Sequence, residues 1–222
     1  MQITMLSKWI MPIEALFFFA IVTLGYAGHV PTSSAPWLLL IAALSFKIRI
    51  QTWQNVGPHT NTLKLDILLG TILGITLQTF GTFIQEPFFD WLTQSHQDIS
   101  QFEGVRQSLG LIILMIALSW LLAGFGEEMV YRGYLLTRVT EICGNGRTAT
   151  FIGLIFSSLI FALAHKYQGI SGILDSGLMG FYYGLIYLLS GKRLYVAIFT
   201  HGVNNTLGFI FLYLGFYDHL LY

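Results

Sequence analysis

Apolar residues fill this chain in runs about as long as a bilayer is thick. They cover Trp9–Gly28, Pro36–Phe46, Leu63–Ile84, Leu109–Phe125 and beyond, Phe151–His165, Gly172–Ser190 and Leu194–Phe216. About 20 apolar residues cross the roughly 30 Å hydrocarbon core as a helix. Within it, only helices and closed barrels satisfy their own backbone groups. The pattern predicts an all-α, polytopic membrane helix bundle of about seven transmembrane helices. Pro36–Phe46 is the short one, and a re-entrant segment would also suit it. The run after Lys8 exceeds the apolar part of a signal peptide and no convincing small-x-small cleavage site follows it, so it reads as the first span.

Basic residues between the runs set the orientation. With the N-terminus inside, one side holds Lys8, Lys47, Arg49, Lys64, Arg132, Arg138, Arg147, Lys192 and Arg193, and the other only Arg106 and Lys166. That asymmetry predicts a multi-pass protein of the cell membrane with a cytoplasmic N-terminus and an outer C-terminus. The outer segment Glu86–Arg106 carries four acids and no Lys, and reads as an exposed connection with an interfacial helix around Phe88–Leu92. Composition agrees with a single membrane domain over 1–222: 55% of residues are hydrophobic and 10% charged, against about 25% charged in soluble domains. Lys and Arg balance Asp and Glu at 11 each, so nothing favours nucleic acid as a partner. Cys143 is the single cysteine, in the loop-like stretch 141–146, and reads as incidental. Gly177, Gly180 and Gly184 share a helical face and predict close helix packing.

Three polar insertions interrupt the apolar runs. Glu127-Glu128-Met129-Val130-Tyr131-Arg132 follows Leu109–Phe125, which has no charged residue. Ionisable groups at such depth cost roughly 2.5–3.5 kcal/mol each on insertion scales and are rarely idle. In a continuous helix Glu128 and Arg132 form an i, i+4 pair, and Glu127 points about 100° away. One acid is then neutralised and the other left for work, although a structural ion pair with a spare Glu fits equally well. His165 ends the fifth run, and His201 and Asn205 lie four residues apart in the seventh. A lone membrane histidine is more often a packing residue. Three insertions from three helices instead make a usable hydrolytic set of base, acid and oxyanion donors.

Glu127-Glu128-x-x-x-Arg132, Phe161-x-x-x-His165 and His201-x-x-x-Asn205 resemble the three signature motifs of the CAAX-prenyl-protease and bacteriocin-processing family of intramembrane proteases (CPBP, also called Abi). Tyr131-Arg132-Gly133-Tyr134-Leu135-Leu136 is similar to the family's Phe-Arg-Gly-Tyr-Leu-Leu. The resemblance covers a core of 109–211 and leaves the N-terminal spans, 1–108, outside it. It implies that Glu127 and His165 activate water, His201 and Asn205 hold the oxyanion, and Arg132 pairs with Glu128. The family is commonly labelled metalloprotease, and zinc would take Glu127, His165 and His201 as ligands with one open position. No His-Glu-x-x-His signature is present, and a carboxamide four residues after His201 suits an oxyanion hole better, so a metal-free mechanism is expected.

The implied activity is hydrolysis of a peptide bond in a membrane-associated or prenylated protein or peptide precursor. Competing readings are a catalytically idle immunity or scaffold protein on the same fold and a proton-coupled transporter; no inverted repeat of broken helices supports the latter. One tension concerns depth. Counted at 1.5 Å per residue from the basic residues taken as inner boundaries, His165 lies about 27 Å from Arg147, Glu127 about 16 Å from Arg138 and His201 about 12 Å from Arg193. The sites converge only if the fifth span enters the membrane near Gly153, with 147–152 lying along the interface.

Overall fold

The computed structural model describes residues 35–48 and 60–218, with Ala20 and Gly57. The expected first span, Trp9–Gly28, therefore falls outside the described residues apart from Ala20. All regular structure among the described residues is helical. The long elements are α1 (Ala35–Ile48), α2 (Leu63–Thr93), α3 (Leu109–Ile142), α4 (Arg147–Ala164), α5 (Gly169–Leu189) and α6 (Leu194–Tyr213).

Four segments are long and apolar enough to cross a membrane: Leu63–Thr93, Leu109–Ile142, Arg147–Ala164 and Lys166–Leu189. The described residues thus supply four candidate spans where the apolar runs predicted six. α1 has 14 residues, about 21 Å of helix and short of the hydrocarbon core. α6 has 20 residues, enough length, but His201, Asn204 and Asn205 dilute its hydropathy. The outward faces carry Leu109, Ile113, Leu121, Phe151 and Leu159, each more than half exposed. Such a surface needs lipid rather than water.

Glycines set the helix spacing. A Cβ on Gly70 would lie 2.5 Å from Phe199 Cβ, and one on Gly74 2.6 Å from the Thr200 carbonyl, so α2 and α6 approach backbone to backbone. Gly124 of α3 faces Gly202 of α6, where a Cβ on Gly202 would stand 2.5 Å from the Trp120 ring. The expected Gly177, Gly180 and Gly184 face packs on Ala162, Phe161 and Leu154 of α4. Arg193 at the start of α6 pairs with buried Asp66 of α2 at 2.8 Å.

Two expected boundaries fail. Glu86 does not begin an exposed connection: α2 continues through a π-helical turn, Gly81–Gln85, into Glu86–Thr93. Glu86 is only 6% exposed as a result. Residues 94–106 then fold back over the end of α4 and α5, where Asp98 N–H donates to the Gln168 carbonyl and Gln97 to the Gln168 side chain. Nor does the fifth span start near Gly153. α4 is helical from Arg147, directly after a tight turn in which Gly144 and Asn145 adopt positive φ, a conformation Gly and Asn tolerate.

Candidate active site

Glu127 and Glu128 sit where α3 departs from ordinary helix. π-helical turns cover Trp120–Glu127 and Met129–Leu136, a form frequent at functional positions. The two carboxylates end in different surroundings. Glu128 is fully buried, and its Oε1 accepts from Arg132 Nη1 at 2.8 Å. Glu127 is half-buried on the wall of a cavity of about 350 Å³. Its Oε2 is buried and has no hydrogen-bond partner among the described residues.

Arg132 is fully buried as well. Its Nη2 donates to the Gly180 carbonyl at 2.7 Å, bracing α3 against α5. The guanidinium lies 4.9 Å from the Phe161 ring centre and 5.3 Å from that of Tyr183, within reach for cation–π attraction. Ser157 of α4 donates to the Tyr131 carbonyl at 3.1 Å and fixes α4 on the same stretch.

A second partner of Glu128 was not foreseen. His201 Nδ1 lies 2.8 Å from the same Oε1 that Arg132 holds. The His201 ring stacks on Tyr183 with centroids 4.5 Å apart and 19° between planes. With Oε1 accepting from Arg132, the hydrogen of the second contact is assigned to His201 Nδ1, and Nε2 is the nitrogen left for chemistry. The same logic applies to His165. Its Nδ1 lies 2.8 Å from the Phe161 carbonyl, an obligate acceptor, which again leaves Nε2 free.

Glu127, His165, His201 and Asn205 all line the one cavity. α3, the end of α4 and α6 supply them. The depth tension resolves without an interfacial 147–152. α3 continues past Arg138 to Ile142, so the hairpin to Arg147 is the common baseline for both helices. From it Glu127 is about 23 Å along α3 and His165 about 27 Å along α4, a difference of one turn. α6 starts deeper, since Leu194 packs with Met129, Leu136 and Tyr187. The shorter count to His201 therefore begins higher in the bundle.

Among the described residues no three His, Cys, Asp or Glu side chains are grouped to hold a metal ion. His201 Nδ1 faces Glu128 and His165 Nδ1 faces the Phe161 carbonyl.

Residues 109–207 match the model of the family described as type II CAAX prenyl endopeptidase Rce1-like. That segment is Rce1-like. The match includes every motif residue named above and ends inside α6. The chain is also 21% identical over 167 residues to a protein of Haemophilus influenzae named "Uncharacterized transporter", covering 74% of this chain and 34% of that protein. The chain thus spans about a third of that relative. No solved structure matches significantly.

The Rce1-like segment does not build the cavity alone. Gln78, Thr82, Glu86, Ile99 and Tyr217, all outside residues 109–207, also line it. Glu86 and Asp175 were missed in the sequence. Both line the cavity, and Gln85 Nε2 donates to Asp175 Oδ1 at 2.8 Å. The rule that singles out Glu127, an ionisable group inside an apolar run, applies equally to Asp175 in Gly172–Ser190. The lining contains three carboxylates and no Lys or Arg.

Proposed function

We propose that the chain is an intramembrane endopeptidase that cleaves a peptide bond in a membrane-associated, CAAX-type or other peptide precursor, with its N-terminus cytoplasmic. One observation carries the reading: Glu127, His165, His201 and Asn205 reach a single cavity from three helices, with a buried pair behind His201 to fix its ring. Glu127 has a carboxylate oxygen committed to no other group. It takes a proton from water as the water oxygen attacks the scissile carbonyl carbon, and His165 Nε2 orients that water. The carbonyl becomes an oxyanion held by Asn205. Collapse breaks the C–N bond, and the proton on Glu127 passes to the departing amine. Every step so written is carried by side chains of the cavity alone.

The test uses purified protein in detergent and a quenched peptide ending in a prenylated CAAX-type sequence. Glu127→Gln keeps shape but removes the proton acceptor, so turnover should fall about 10²–10⁴-fold with thermal stability unchanged. Full turnover in that variant would sink the proposal. The name of the Haemophilus relative favours a second reading, transport, and proton-coupled flux in vesicles lost on Glu127→Gln would support it. A folded chain with neither activity would point to the idle scaffold.

A further inference from the structure

Oxyanion holes usually place more than one donor on the developing charge, and α6 offers one beyond those named so far. Asn204 lines the same cavity and is 6% exposed. Its Nδ2 is buried with no hydrogen-bond partner among the described residues. An amide hydrogen that meets no protein acceptor ties no helix to another. His201, Asn204 and Asn205 lie at i, i+3 and i+4 of α6 and share one face.

We infer that Asn204 is a further catalytic residue, whose Nδ2–H donates to the carbonyl oxygen of the bond being cut and, with Asn205, holds the oxyanion. Water in the cavity can satisfy the amide until that oxygen displaces it. The inference rests on the peptidase reading above. It moves no proton and breaks no bond; it stabilises charge that appears on the substrate oxygen only as attack proceeds.

The test compares Asn204→Leu, Asn204→Asp and Glu127→Gln in the purified full-length chain, with the quenched prenylated CAAX-type peptide as probe. For Asn204→Leu, kcat should fall about 10²–10³-fold with KM changed little. The melting temperature without peptide should hold, because Asn204 Nδ2 bonds no protein group among the described residues. Asn204→Asp replaces donors by acceptors and should lose at least as much turnover. Asn204→Leu or Asn204→Asp with kcat within threefold of the parent, while Glu127→Gln is inactive, overturns this inference and leaves the peptidase reading standing. An active Glu127→Gln overturns that reading and, with it, this one. If the parent leaves the probe uncut, the melting temperature decides: a fall of more than roughly 5 °C in Asn204→Leu shows a structural asparagine and overturns the inference.

Discussion

Arg132→Ala probes the buried node that holds the site together. Neither Arg132 nor Glu128 has any exposed side-chain surface, so no solvent screening reduces the effect of separating them. The substitution strands the Glu128 carboxylate, removes the bond to the Gly180 carbonyl and empties the space between the Phe161 and Tyr183 rings. Breaking a buried pair by deleting one partner costs about 3–5 kcal/mol. For a chain of this size that is a fall in melting temperature on the order of 10 °C. The assay is tryptophan fluorescence during thermal unfolding in detergent, read together with purified yield. A double variant sharpens it. Arg132→Met with Glu128→Gln removes both charges while leaving a carboxamide oxygen for His201 Nδ1, and should recover more than half of the lost stability. A melting temperature within about 2 °C of the parent for Arg132→Ala, or a double variant no better than the single, would refute the reasoning.

Gly202→Val puts a branched side chain where even a Cβ meets the Trp120 ring at 2.5 Å. Overpacking of about 1–3 kcal/mol is expected, together with loss of turnover as the neighbouring His201 is displaced; unchanged melting and turnover would contradict the close α3–α6 contact. Chelation should leave turnover within twofold of the untreated protein. Stoichiometric zinc that disappears together with activity in His201→Ala would decide for a metal instead.

Candidate site residues could be chosen from the sequence because charge and imidazole stand out in apolar runs. Glu127, Glu128, Arg132, His165, His201 and Asn205 could each be picked from local contrast. The Glu128–Arg132 pair followed from helical spacing alone. What joins Glu128 to His201, 73 residues away, is packing set by Gly124 and Gly202, and no local pattern encodes it. The π-helical turns of α3 left no sign in the sequence pattern. Glu86 looked like the start of a water-exposed segment because four acids cluster there, yet the helix carries it inward. The depth of His165 was misjudged because Arg138 looked like a membrane boundary, whereas α3 runs one turn further.

One oxygen, Glu128 Oε1, receives both Arg132 and His201. Mutating it confounds folding with catalysis, so the inert but intact protein needed to trap a substrate must be made at Glu127, whose Oε2 holds nothing in place. The same asymmetry bears on descent. On the peptidase reading, a single substitution at Glu127 would silence the chemistry and spare the architecture, leaving the cavity to bind without cutting. On that reading the path from protease to binding protein is short at Glu127, and at Glu128 it runs through the buried pair that the fold needs.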